Sequence, residues 1–169
     1  MDRKYGIRGA VLLLMATFTV PLSIHAQTYP AKPVRVVSTY PPGSSASNFD
    51  QFHRIFSIVP SPSNGMLFCQ GCVAEMQGVD VYDAIRHMGA IDKIVMVHFR
   101  NVRGSFPRFQ ETFVDNGDVD MYRAMQAYRD VGFKGPFSLD HSPAFPGAQI
   151  ANQAFVIGYL RALIQSVYR

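Results

Sequence analysis

The stretch 93-KIVMVHFRNV-102 decides the fold. Five residues from Ile94, all but the last apolar, sit between charged Lys93 and a polar Arg100-Asn101 pair, which is the pattern of a strand buried on both faces. Two similar runs lie on either side of it, 65-GMLFCQG-71 and 135-GPFSLDH-141. Between the runs stand two segments with helical spacing, VDVYDAIRHMG (79–89) and DVDMYRAMQAYRDVGF (118–133). Asp80 is placed to cap the first of these helices, and Gly89 and Gly132 are placed to end them. Met121, Met125, Tyr128 and Val131 recur every three to four residues and read as a packed stripe. FDQFHRIFSIV (49–59) ahead of the first strand and AFVIGYLRALIQSVYR (154–169) at the end read as further helices. Strand, helix, strand, helix predicts right-handed βα units on a parallel sheet, hence an α/β fold.

Composition narrows the class. The 169 residues are 48% hydrophobic and 17% charged, with no tryptophan and two cysteines, which excludes disordered and low-complexity chains and predicts one packed core. The net charge is +4, but Arg3, Lys4 and Arg8 against Asp2 place half of it in the first 26 residues. No basic face remains to argue for nucleic acid.

Residues 1–26 have the parts of an export signal: a positive start, the apolar stretch GAVLLLMATFTV (9–20) and a small-residue end at Ala26. An apolar run of that length is shorter than the roughly 20 residues a membrane span needs. Export would make the chain periplasmic or secreted and put Cys69 and Cys72 in an oxidising compartment. Residues 27–45, QTYPAKPVRVVSTYPPGSS, resemble the mature N-terminus of the periplasmic solute-binding proteins of tripartite tricarboxylate transporters, with residues 27–51 acting as leader and linker. Ser38, Thr39 and Ser44 depart from that family's pattern.

The chemistry-bearing side chains cluster at strand ends: Cys69 in LFCQG, His98 in VMVHFRN, and Asp140-His141 in FSLDH. In βα architectures the C-terminal ends of the strands share one face, so residues 29 and 42 apart in sequence converge there. A thiolate, an imidazole and a carboxylate suit a divalent transition metal, Mn, Fe or Zn, better than Ca or Mg. Each residue also has a plainer reading: Cys69 as a small buried hydrophobe, His98 as a core histidine, Asp140 as a turn cap. Cys69-x-x-Cys72 is half of a zinc knuckle or a redox pair.

Five motifs in order, SPSNGMLFCQGC, KIVMVHFRNVRG, FQETFVDNGDVDM, SLDHSP and GYLRALI, make residues 52–169 resemble the C-terminal part of the mannonate dehydratases. That family is similar to xylose isomerase, and the resemblance implies a partial TIM (β/α) barrel of about three C-terminal βα units. It also implies a lyase that removes water from D-mannonate to give 2-keto-3-deoxygluconate in hexuronate breakdown, with Mn(II) or Fe(II). By the same resemblance Cys69, His98 and Asp140 are metal ligands, Asp140 and His141 are catalytic, and Arg100 and Asn101 line the substrate site. The family's fourth ligand, a histidine on an earlier strand, has no match, and Ser138 stands where members carry an arginine. A shortened barrel implies self-association or a second chain to cover its sheet edges. The family is cytoplasmic, against the export signal of this chain. The alternatives from other classes are a solute-binding protein and an inert fusion fragment.

Overall fold

The three apolar runs become three parallel strands, and helices return the chain between them. The computed structural model describes residues 50–144 and 149–169. In chain order these form α1 (Asp50–Ile58), β1 (Met66–Cys69), α2 (Gln70–Ala74), α3 (Val81–Ala90), β2 (Ile94–His98), β3 (Val102–Ser105), β4 (Arg108–Glu111), α4 (Met121–Asp130), β5 (Phe137–Ser138) and α5 (Gln149–Val167). Residues 1–49, where the export signal and the transporter-like leader are expected, lie outside the described residues.

The main sheet has the order β1-β2-β5, parallel throughout, with β3 and β4 as a separate antiparallel hairpin. In register, Cys69 stands opposite His98, and His98 opposite Ser138. Phe68 and Val97 are fully buried and Phe137 partly so, while Val95 on the central strand is half exposed. Beneath the sheet Tyr128 meets Phe68 and Phe137 edge to face with ring centres 6.2 and 5.2 Å apart, and Phe133 joins Phe137 at 5.2 Å. Such rings each contribute roughly 1.5–3 kcal/mol by leaving water. The stripe on α4 packs as expected, with Met121, Met125 and Tyr128 buried.

Asp80 caps α3, its Oδ1 accepting from the Tyr82 and Asp83 amides at 2.8 and 3.0 Å. Gly132 closes α4 with φ +73°. Gly89 is a correction: α3 continues through Ala90, and a Cβ at 89 would lie 2.4 Å from the Val131 side chain, so this glycine lets α3 approach the end of α4. The run 93–102 is a second correction, because β2 stops at His98 and Val102 already begins the hairpin. At the turn into the hairpin, Asn101 Oδ1 accepts from the Val102 amide at 3.0 Å, a local side-chain bond in place of a sheet one. α5 begins at 149 and buries one face, Asn152, Val156, Leu160, Leu163 and Val167. No helix among the described residues is long and apolar enough to cross a membrane.

Candidate metal centre

Directly paired residues on parallel strands point to the same face, and so do residues two apart on one strand. Cys69, His98 and Ser138 occupy one row across the sheet, and Asp140 lies two residues past Ser138. The sheet thereby converts three distant motifs into a cluster. One ligand atom each from Cys69, His98 and Asp140 lies within 4.8 Å of the others. Asp140 Oδ2 is 3.6 Å from Cys69 Sγ and 3.5 Å from His98 Nδ1. Those separations are about 1.6 times a metal–donor bond of roughly 2.0–2.3 Å, as for two ligands of one tetrahedral ion, and the thiol, imidazole and carboxylate form a donor set suited to a divalent transition ion.

The electrostatics of the cluster are set by Arg100, which is 4% exposed. Its Nε lies 3.0 Å from Asp140 Oδ2 and donates to Cys69 Sγ at 3.4 Å. Nη1 donates to Glu111 Oε1 at 2.6 Å, and Nη2 to Cys72 Sγ at 3.2 Å. A buried guanidinium is tolerable only with such partners. Gly71 makes room for it, since a Cβ there would lie 2.6 Å from Arg100 Cζ. Gln70, fully buried, fixes the backbone alongside: its Nε2 donates to the Arg100 carbonyl at 3.2 Å, and its Oε1 accepts from Tyr128 OH at 3.2 Å.

The same contacts move protons. The Cys69 thiol is brought down from its ordinary 9.0 to about 6, first because the Cys72 thiol hydrogen-bonds to its sulfur, against the opposing effect of burial, and further through the Arg100 charge. Cys72 is correspondingly pushed up by giving that hydrogen bond and by burial. Burial also raises the Glu75 carboxyl. Glu75 and Glu111 each keep one buried carboxylate oxygen with no hydrogen-bond partner among the described residues.

The remaining expected site residues separate. His141 stands at the rim, 70% exposed, with Nε2 3.7 Å from Asp140 Oδ1 and Nδ1 3.7 Å from Glu111 Oε1. Arg100 is at the centre, but its fork is engaged by protein groups, so the expectation of a substrate-facing arginine becomes a charge that positions Cys69 and Asp140. Asn101 is 1% exposed and all of its amide is used: Nδ2 donates to the Val114 and Val119 carbonyls at 3.1 and 2.9 Å, and Oδ1 accepts from the Val102 and Val119 amides at 3.0 Å each. It holds the hairpin and the following loop, and no polar atom is left for a substrate. Gln70, Glu111 and Glu75 were not singled out from sequence. The tight FCQG spelling was the available signal for Gln70, whereas nothing local marks Glu111, which arrives through the hairpin.

Residues 17–169 match the D-mannonate dehydratase (UxuA) family, a match that starts earlier than the residues 52–169 carrying the motifs. Among curated relatives, Mannonate dehydratase 2 of Halalkalibacterium halodurans is 31% identical over 130 residues, covering 72% of this chain and 38% of its own. The mannonate dehydratase of Enterococcus faecalis is 36% identical over 129 residues, covering 70% and 35%. In solved structures, mannonate dehydratase from Streptococcus suis serotype 2 superposes with a TM-score of 0.64 at 25% identity, over 69% of this chain and 36% of that one. A xylose isomerase domain protein from Planctomyces limnophilus shares the fold, with a TM-score of 0.61 at 18% identity over 76% and 46%. The parallel βα units are therefore part of a xylose isomerase-like TIM barrel, and the chain spans a little over a third of the length of these curated relatives. The chain belongs to the D-mannonate dehydratase family.

Proposed function

We propose that this family member is a mannonate dehydratase-like hydro-lyase acting on a small sugar acid, with D-mannonate as substrate and 2-keto-3-deoxygluconate as product. The observation that supports it most is the convergence of Cys69, His98 and Asp140 within 4.8 Å at the ends of three parallel strands. These three would hold Mn(II) or Fe(II), which when bound supplies a Lewis acid for a substrate oxygen. The chain's own residues divide the remaining work. Arg100 offsets the charge of Cys69 and Asp140 and keeps both side chains aimed at the same point. Dehydration takes a proton from the carbon beside the carboxylate and returns one to the departing hydroxide. His141, exposed at the rim and 3.7 Å from both Asp140 and Glu111, is the group that carries these protons, with Asp140 orienting it. Ser138 is neutral and adds no cation, and its Oγ donates to the Leu139 carbonyl at 3.0 Å. Without that cation, and with no fourth ligand beside the three among the described residues, turnover falls about a thousandfold or more below a complete enzyme.

Residues 1–26 are read as an export signal, 27–51 as a linker and 52–169 as the catalytic piece, and this places the product of the gene in the periplasm or outside the cell. Among the described residues the outer strands β1 and β5 have no further strand beside them, and a second copy or another chain would cover those edges. Nucleic acid and, after cleavage of the signal, membrane are not among its partners. The rival, a solute-binding protein, rests on residues 1–45. The test is metal content after dialysis against Mn(II), for the chain and for Cys69→Ala/His98→Ala, together with 2-keto-3-deoxygluconate formation with and without His141→Ala. Metal retained equally by both proteins overturns the site. A thermal shift with citrate-like carboxylates and none with Mn(II) favours the rival.

A further inference from the structure

Cys72 has no part in the ligand set, yet it stands beside it. Cys69 is the N-cap of α2, with φ −82° and ψ 98°, and Cys72 is three residues on, in the helix's first turn. Side chains at these two positions face each other, which is the relation that lets an N-cap side chain reach the third helical residue. The structure bears this out at the sulfurs. Both rest on one guanidinium, Cys69 Sγ on Arg100 Nε at 3.4 Å and Cys72 Sγ on Nη2 at 3.2 Å, and both residues are partly exposed free thiols.

We propose that Cys69 and Cys72 form a reversible intramolecular disulfide that competes with metal for Cys69, a redox-controlled modification site at the metal centre. The metal half of this statement rests on the function proposed above; disulfide formation does not. The oxidant is a small disulfide of the glutathione class. Cys69, as thiolate, attacks one of its sulfurs, forming a mixed disulfide and expelling one small thiolate, which takes up a proton. Cys72 loses its proton and attacks the Cys69 sulfur, forming the internal S–S bond and expelling the second small thiol. The two protein sulfurs are oxidised by two electrons in total, and the small disulfide is reduced to two thiols. The closed form has no thiolate at position 69, so the ligand set falls to His98 and Asp140. Metal on Cys69 withholds the attacking sulfur, so occupancy protects against closure. Arg100 keeps its contacts with Asp140 and Glu111 in either state.

The experiment uses the full chain incubated with oxidised glutathione, with and without Mn(II), then alkylated and digested without reduction. The expected result is a peptide joining Cys69 to Cys72, loss of two hydrogens in the intact mass, and metal content reduced about tenfold or more, all reversed by dithiothreitol. Mn(II) present beforehand slows closure several-fold. Cys72→Ser stops at the mixed disulfide on Cys69. Both cysteines alkylated after oxidation, or links only between chains, overturns the proposal, and this reading in the unmutated chain does not depend on how well a variant folds. Closure without loss of metal overturns the competition. If equilibrium dialysis shows that the reduced chain never binds Mn(II), the metal-site reading and with it the competition fail, while the peptide map still decides the disulfide.

Discussion

The two ends of the same three strands are held together differently, one by a net of charged contacts and the other by close approach at glycines. At the C-terminal end, Cys69, His98, Arg100, Glu111 and Asp140 crowd charged and polar atoms to separations between 2.6 and 3.6 Å around a buried guanidinium. At the N-terminal end the loops entering β2 and β5 meet around a 260 Å³ cleft lined by Gly89, Asp92, Ile94, Val131, Gly132, Phe133, Lys134 and Gly135, where Gly89 and Gly135 admit the Val131 and Phe133 side chains at distances no other residue would allow. In barrel folds the first end carries chemistry and the second carries stability. The difference teaches that the polar end is stable only as a balanced set, whereas the other end depends on shape.

The comparison breaks most directly at Arg100. Arg100→Met leaves Glu111, Asp140 and Cys69 without their shared cation, and denaturant unfolding should show a loss of about 3–5 kcal/mol; a loss below about 1 kcal/mol would mean the carboxylates do not depend on it. Asn101→Ala strips the partners from two amides and two carbonyls around the hairpin. Its cost should be about 3 kcal/mol, with hydrogen exchange speeding up first at Val102 and Val119. On the opposite end, Gly89→Ala drives a methyl into Val131 and should cost about 1–2 kcal/mol by overpacking, while Mn(II) affinity of the folded protein stays unchanged; altered affinity would join the two ends that the comparison separates. The smallest effect concerns pH. Cys69 stays deprotonated down to about 6 when folded, against 9.0 ordinarily, so the folded metal-free chain binds fewer protons and its stability rises with pH across that window. The contribution is complete above about 9 and lost as pH falls through 6. Iodoacetamide labelling of Cys69 should be half-maximal near the lower value, and a midpoint near 9 would remove the Cys72 and Arg100 contacts as its cause.

The strands were legible because short apolar runs bounded by Gly or polar residues leave little choice, and the three residues of the candidate metal centre were legible because each closes such a run. The hairpin was not: VRGS and RFQE are mostly exposed, so burial imposed no alternation for a pattern to reveal. Arg100 and Asn101 illustrate a different limit. Their proximity to the site could be read from HFRN, but their partners are 11 to 40 residues away, at Glu111, Val114, Val119 and Asp140, and only the hairpin and the sheet bring those partners in. Gly89 was misplaced because a glycine that ends a helix and one that admits a neighbouring helix look alike in sequence.

The row Cys69, His98, Ser138 has a consequence for engineering and for descent. A ladder of parallel hydrogen bonds fixes its members more rigidly than any loop, and position 138 is the one place in that row occupied by a side chain that brings no strong donor or charge. A single codon change there alters the chemistry of the whole face without touching the scaffold. Ser138 is thus an open socket on a finished board, where an arginine, a histidine or a carboxylate would each rewire the centre in a different direction.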